Sequence, residues 1–322
     1  MNFKTRVIIL SAILFLLVTV LILRTVFSPQ REMRRSLSRP LVTGIEPANV
    51  TDLTITGPDG EVSLEQPESG EWFLILESRR YPADPDKVNN LLEALKNSRR
   101  GSVVSRNPED LGVFELGDAA EKLTVSGLPS GPDHEIYFGK KGAGRNEYYV
   151  RLKGGDAVYL ADTSAGFYVE QGPEYYSDLL MAPAELNPQD IQRIQTSGYT
   201  LLKTEDEGGW MFAQGEDRVD PDKAGQLAAA LASLRASSYA VPSAEGAFPS
   251  GGGSEITFVT GAGKAVTFTV FGKTGEEQYL AQSSVKTDGQ GNPYRFFLSE
   301  YTYNRIMKSR ENLSADTAER DD

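Results

Sequence analysis

The 322-residue sequence predicts an α+β fold: an N-terminal transmembrane helix followed by two homologous antiparallel-sheet-plus-helix repeats. Three observations predict it. An uncharged apolar run opens the chain. One order of strands, a tryptophan, an Asp-Pro-Asp turn and a leucine-striped segment then occurs twice. The remaining alternating runs are short, separated by Gly-rich turns, and too sparsely interleaved with helices for a doubly wound sheet.

Val7 to Leu23 is a run of 17 residues interrupted only by Ser11 and Thr19. A helix of that length nearly spans a hydrocarbon core of about 30 Å, and Thr25–Phe27 extend it past a snorkelling Arg24. A cleaved signal peptide would have a shorter apolar region, about 7–15 residues, and a small-x-small site behind it. Here the flank is Arg24-Thr25-Val26-Phe27, so residues 1–27 read as a cytoplasmic tip and an uncleaved anchor. Residues 28–44 read as a basic juxtamembrane linker whose Arg31, Arg34, Arg35 and Arg39 meet anionic headgroups. Counting charges on the two sides of the span would keep the large part in the cytoplasm. The six-residue tail before Val7 is instead that of a signal anchor, which exports the chain behind it. The expectation is a single-pass protein of the cytoplasmic (inner) membrane with an extracytoplasmic soluble region.

Charge is uneven. Of 33 basic and 45 acidic residues, seven and one lie in residues 1–40, which leaves 26 against 44 beyond Pro40, a formal −18. So acidic a body repels phosphate backbones and excludes nucleic acid as a partner. There is no Cys, and His134 is the one His, so a thiolate site, a His-based catalytic pair and a zinc site with two His ligands are excluded.

In the first repeat, residues 45–182, Val50–Thr56, Glu61–Gln66 and Glu71–Ile75 read as strands, with Trp72 in the third. Tyr81-Pro82-Ala83-Asp84-Pro85-Asp86 then leads into a helix carrying Leu91, Leu92 and Leu95. In the second, residues 183–307, Ile191–Thr196, Thr200–Lys203 and Gly209–Phe212 precede Asp220-Pro221-Asp222 and Leu227, Leu231 and Leu234. Asp at the cap, Pro at the first helical position and Asp in the first turn satisfy orphan N–H groups and suit the helix dipole. Trp72 and Trp210 fall at matching places and read as core pieces. The second halves match as well: Lys122–Gly127 with Glu255–Gly261, Ile136–Lys140 with Thr269–Lys273, Glu147–Val150 with Glu277–Leu280, and Ala157–Leu160 with Arg295–Leu298. Helix-like segments close each copy at Ser164–Leu180 and Ser299–Met307, and prolines at 183 and 188 mark the boundary. Residues 308–322 read as a loose, disordered tail.

This order, with its Asp/Pro-capped helix, "Phe-Gly-Lys" strand and "Tyr-Tyr-Val…Val-Tyr-Leu" ending, resembles the family named domain of unknown function 4340 across nearly all of residues 41–307. Members are membrane-anchored proteins often encoded beside ABC exporters of the gliding-motility type. The resemblance implies an accessory envelope subunit, and it carries over no catalytic residue.

The residues themselves point away from catalysis. Gly261-Ala262-Gly263-Lys264 lacks the other positions of a phosphate loop and lies between strands, so it reads as a hairpin turn. Gly139–Arg145 is a basic glycine loop able in principle to hold an anion, and a mobile hairpin is the plainer reading. Asp84/Asp86 and Asp220/Asp222 have capping work, and His134 reads as an exposed turn residue. No cofactor and no metal are expected. Tyrosines crowd the end of each copy, and Tyr148, Tyr149, Tyr175, Tyr176, Tyr294, Tyr301 and Tyr303 are the candidate interaction surface. The leading expectation is a non-catalytic, membrane-anchored accessory protein docking onto an ABC-exporter-like complex, with an ABC permease or associated component as partner. The alternative is an extracytoplasmic binding module for an envelope polymer or small solute. An acid-based hydrolase ranks third.

Overall fold

The computed structural model describes residues 39–128, 132–204, 209–241, 252–274 and 277–315. The expected span Val7–Leu23, with Arg31, Arg34 and Arg35, lies outside them. No helix among the described residues is long and apolar enough to cross a membrane.

Two units divide the chain. The first takes the described residues through Gly70 together with Pro85–Gly172; the second takes Glu71–Asp84 and everything from Pro173. The first unit opens with strands β1 (Asp52–Gly57) and β2 (Gly60–Glu65). The hairpin of β3 (Phe73–Leu76) and β4 (Arg79–Pro82) belongs to the second. The first then continues with helix α1 (Pro85–Asn97), β5 (Val103–Ser105), β6 (Glu121–Ser126), β7 (His134–Lys141), β8 (Glu147–Leu152), β9 (Val158–Asp162) and helix α2 (Ala165–Val169).

Seven strands of the first unit run β2-β1-β6-β7-β8-β9-β5, antiparallel at every step. Alternation sets the register. Leu53 faces Leu64 and Val125, and Ile55 faces Val62 and Leu123, so one face of three strands is apolar throughout. Val88, Leu91, Leu92 and Leu95 are the buried stripe of α1, each contributing about 1.5–3 kcal/mol.

The second unit adds helix α3 (Pro173–Tyr176), β10 (Ile191–Thr196), β11 (Thr200–Lys203), β12 (Trp210–Phe212), α4 (Pro221–Ala232), β13 (Ser238–Tyr239), β14 (Ser254–Thr260), β15 (Ala265–Lys273), β16 (Gln278–Thr287), β17 (Pro293–Ser299), α5 (Glu300–Ile306) and α6 (Arg310–Leu313). Its sheet order is β12-β11-β10-β14-β15-β16-β17-β13. From its second strand onward this repeats the plan of the first unit, so the duplication read from the sequence is also one of topology. Asp220 caps α4 by accepting from Asp222 N at 3.0 Å and Lys223 N at 3.2 Å, ahead of Pro221. Trp210, Leu227, Leu231, Phe258 and Phe268 share its core.

The "Phe-Gly-Lys" motif proves to be a β-bulge in both copies. Pairing shifts register between Phe138 and Lys141 in β7, and between Val270 and Gly272 in β15. At Gly139 an added Cβ would lie 2.1 Å from the Phe114 carbonyl oxygen, which accepts from Lys140 N at 3.0 Å. A glycine is required there because backbone, not a movable side chain, fills the space.

Several boundaries differ from expectation. The 28–44 linker enters the fold early: Leu41 and Ile45 are buried, and Leu41 N donates to Ser98 O at 3.0 Å, because apolar Leu41, Val42 and Ile45 gain more inside than outside. Segment 164–180 is two short helices broken at Gly172-Pro173, and the unit boundary falls there instead of near 183. Leu179 and Met181 are core residues of the second unit, bonded through Met181 N to Leu234 O and from Ala236 N to Leu179 O. The tail, expected to be loose from Lys308, instead forms α6, with a capping box at Ser309 and Asn312 and a buried Leu313. Its last residues, 316–322, lie outside the described residues.

Candidate binding cleft in the second unit

The β3–β4 hairpin carries one wall of the cleft. Its two-residue turn, Glu77 and Ser78, takes φ of 46° and 64°, the left-handed pair that matches the twist of a tight hairpin. Three backbone bonds moor its far end: Ala83 N to Trp72 O at 2.9 Å, Asp84 N to Tyr176 O at 2.7 Å, and Asp178 N to Pro82 O at 3.0 Å. The Tyr239 hydroxyl adds a fourth tie, reaching Asp178 O at 2.7 Å and Pro82 O at 3.1 Å. Asp178 in turn holds Lys286 of β16 at 2.7 Å.

Aromatic rings fill the space behind. Tyr81 lies 4.6 Å from Tyr239 and 5.5 Å from Tyr294, ring centre to ring centre, and Tyr239 lies 5.0 Å from Phe296. Tyr81 and Tyr239 are buried, while Tyr294 is half-buried at the cleft. Burial, with the Asp178 carboxylate second, pushes the Tyr239 phenol far up, so it stays a hydrogen-bond donor. Tyr294 is raised too, by burial first and then by Asp288.

The cleft itself measures about 980 Å³. Arg79 and Arg80 of β4 line it with Arg295 of β17, and Gln282 and Asn292 supply amides. The one carboxylate in its lining among the described residues, Asp288, is committed to its own loop, accepting from Gln290 N and Asn292 N at 2.8 Å each and from Asn292 Nδ2 at 3.0 Å. Those bonds hold its carboxyl below the usual range, the Asn292 side chain contributing most. Arg79, Arg80 and Arg295 thus give the lining more basic than acidic residues, in a chain that is acidic overall. Guanidinium forks match the two oxygens of a carboxylate or phosphate. Nothing in this lining supplies a base paired with a nucleophile. A second basic groove of about 500 Å³, beside α4 and α6, is lined by Lys223, Arg305 and Lys308, with Lys223 engaged by Asp220 at 3.4 Å and walls of Leu227, Ala230 and Leu313. Among the described residues no three His, Asp or Glu gather to hold a metal ion.

The seven expected tyrosines do not form one surface. Tyr148 and Tyr176 are buried, a correction with a plain cause. Tyr148 points inward with Val150 on alternating β8, its hydroxyl donating to Glu170 at 3.2 Å, and Tyr176 closes α3 with its ring wholly enclosed. Tyr149 lies 4.7 Å from Phe114, Tyr175 packs edge-on to Tyr176, and Tyr303 stacks on Tyr279 at 3.8 Å. Tyr301 is 72% exposed. Tyr294 alone of the seven lines the cleft. Arg39 is exposed and gives its carbonyl to Arg100 N. His134 begins β7, its Nε2 2.9 Å from Thr43 O, and is not a turn residue. The glycine loop before β8 is filled from within, since Gly144 N donates to the Glu147 carboxylate at 2.7 Å. Gly261–Lys264 is the expected hairpin turn, between β14 and β15.

Sequence reasoning missed β4, and with it Arg79 and Arg80; it also missed Tyr239, Arg295 and the Asp288 loop. The signal for the loop was present: Asp288-Gly289-Gln290-Gly291-Asn292 carries two glycines between strand-like runs.

The family model described as "Domain of unknown function (DUF4340)" matches residues 72–249. No curated protein and no solved structure matches the chain. The matched stretch starts at Trp72, includes the β3–β4 hairpin, and runs past α4 and β13, over more than half of the 322 residues. This chain therefore belongs to the family of the domain of unknown function DUF4340.

Proposed function

We propose that this chain is a non-catalytic, membrane-anchored binding protein of the cell envelope whose second unit receives an anionic group in the Arg79/Arg80/Arg295 cleft. The observation that carries the reading is the lining of one recess by Arg79, Arg80 and Arg295, in a chain with a formal −18 beyond Pro40. An acidic body discourages anions at large, so a local concentration of arginine is where one can pair. The uncharged run Val7–Leu23 supports the anchor, with the remainder placed outside the cytoplasm. Only eleven residues, 28–38, separate Phe27 from Arg39, and fully extended they reach about 40 Å. The first unit thus works close to the bilayer, and confinement raises the effective concentration of any membrane-borne ligand.

The test is a titration of the full-length protein, held in zwitterionic nanodiscs, with inorganic phosphate and with an oligogalacturonate. At least one anion should bind, weaken as salt rises, and lose tenfold or more in affinity when Arg79, Arg80 and Arg295 are changed to Gln. Failure of both probes to bind, or binding indifferent to the triple variant, overturns the reading.

Docking onto an ABC-exporter-like complex is the second reading, favoured by exposed Tyr301 with the Arg305 guanidinium 5.7 Å from its ring centre. Tyr and Arg are the residues that anchor interfaces. Mild cross-linking in native membranes should recover a permease or its associated component, and recovery of this chain alone would end that reading.

A further inference from the structure

We infer that the first unit carries a separate site of its own, a cleft built around Arg151 and Lys122 that takes a small organic carboxylate. Strand pairing builds it. Thr56 of β1 pairs with Lys122 of β6, Lys122 with Tyr137 of β7, and Tyr137 with Arg151 of β8, so four side chains form one cross-strand row. The neighbouring positions Ile55, Leu123, Ile136 and Val150 are buried, and alternation turns the row to the face away from them. All four members of the row are half-buried. The loop of residues 111–120 supplies the other wall of the cleft. The bulge glycine Gly139 admits that loop, since a Cβ there would meet Phe114 O at 2.1 Å and Leu116 Cγ at 2.9 Å.

The two cations of the row are not spent on the fold. Among the described residues neither makes a hydrogen bond or an ion pair. The Arg151 guanidinium lies over the Tyr137 ring, 4.2 Å from its centre, and its Nε is enclosed without an acceptor. Stacking of this kind orients a guanidinium without using its N–H groups. Glu135, two residues before Tyr137 on β7, accepts from the Tyr137 hydroxyl and holds Lys153 at 2.9 Å. It reaches Lys122 only through space.

The lining sets the ligand's chemistry. A guanidinium held against a ring presents a fork that suits the two oxygens of a carboxylate, and Lys122 adds a second positive charge beside the same ring. The cleft measures about 480 Å³, inside the range of about 300–1,000 Å³ usual for small organic ligands and more than an inorganic ion fills. Leu111, Leu116 and Pro58 give the rest of the molecule an apolar wall. Exposed Asp118 is the one acid in this lining, and it repels a doubly charged phosphate about twice as strongly as a single carboxylate. These features favour one carboxylate on a compact, largely apolar body.

The experiment is fluorine NMR of the full-length protein in zwitterionic nanodiscs. The probes are 4-fluorobenzoate and neutral 4-fluorobenzyl alcohol, with inorganic phosphate as competitor. The carboxylate should bind, and the alcohol should bind about tenfold more weakly, the scale of one charge-assisted hydrogen bond. Lys122→Gln and Arg151→Gln should each weaken 4-fluorobenzoate by about tenfold, with unfolding midpoints matched to the parent. Should Arg151→Gln shift its midpoint, Lys122→Gln carries the test. Changing Arg79, Arg80 and Arg295 together to Gln should leave this binding unaltered, which separates the site from the cleft of the second unit. No binding of 4-fluorobenzoate, equal binding of the alcohol, or binding indifferent to both single variants overturns the inference. Displacement of 4-fluorobenzoate by an equal concentration of phosphate overturns it as well.

Discussion

Replacing Tyr239 by Phe removes one oxygen from the mooring of the hairpin that carries Arg79 and Arg80, and little else. The ring keeps its neighbours Tyr81, Tyr294 and Phe296. One hydroxyl proton cannot serve two acceptors fully, and the shorter contact, 2.7 Å to Asp178 O, is the principal bond. Pro82 O loses less, because Asp178 N still donates to it at 3.0 Å. The substitution therefore leaves one part-buried carbonyl without its donor, and the expected loss is about 1–2 kcal/mol. Trp72 and Trp210 are the two tryptophans of the chain and both belong to the second unit, so urea unfolding followed by tryptophan fluorescence reports the affected part directly. With a urea slope of about 2 kcal/mol per molar, the midpoint should fall by ~0.5–1 M. Hydrogen exchange at the Ala83 and Asp178 amides should quicken in step. An unchanged midpoint would refute the claim that this hydroxyl moors the hairpin. A loss above about 3 kcal/mol, the range of removing a whole ring, would show that ring packing and not the hydrogen bond had been damaged.

Two further outcomes rest on the described geometry. Tyr199 is buried, its hydroxyl has no partner among the described residues, and burial pushes its phenol up to about 12 from the ordinary 10. A raised acid favours the neutral form in the folded state, so its contribution is complete below pH 10 and is lost as pH climbs toward about 12. Tyr199→Phe should then be neutral or stabilising by up to ~1 kcal/mol at pH 7, and should flatten the fall in unfolding midpoint between pH 10 and pH 12; an equally steep fall in the variant would count against it. Gly139→Ala forces a Cβ to 2.1 Å from the Phe114 carbonyl, with no side-chain rotation to relieve it, and should cost about 1–3 kcal/mol with faster exchange at the Lys140 amide. The matched control, Gly112→Ala, meets nothing within 4 Å and should leave the melting curve where it was.

Periodicity and capping made much of this molecule legible. Alternation in Val50–Thr56 and its fellows fixes which side chains face inward, and leucines spaced by four give α1 and α4 their buried stripes. The Asp-Pro-Asp signal placed the start of α4, and the twofold order of motifs announced a duplication that the sheet topology repeats. These are local rules: each depends on residues a few positions apart, so the sequence by itself decided them. The proposed anchor is likewise a matter of sequence, since its argument rests on 17 uncharged residues whatever the rest of the chain does. The cleft is of another kind. Its walls come from β4, β16 and β17, about 200 residues apart, and its cations are cations together only because the hairpin of residues 71–84 packs in the second unit. No periodic signal in Arg79-Arg80-Tyr81-Pro82 tells which core will accept Tyr81. Hydrogen bonds to Tyr176, Asp178 and Tyr239 decide that, and they exist only once the second unit has folded. The same physics buried Tyr148 and Tyr176 and left Tyr294 at the cleft: a tyrosine on an alternating strand or short helix is equally at home inside or out, and only the packing around it chooses.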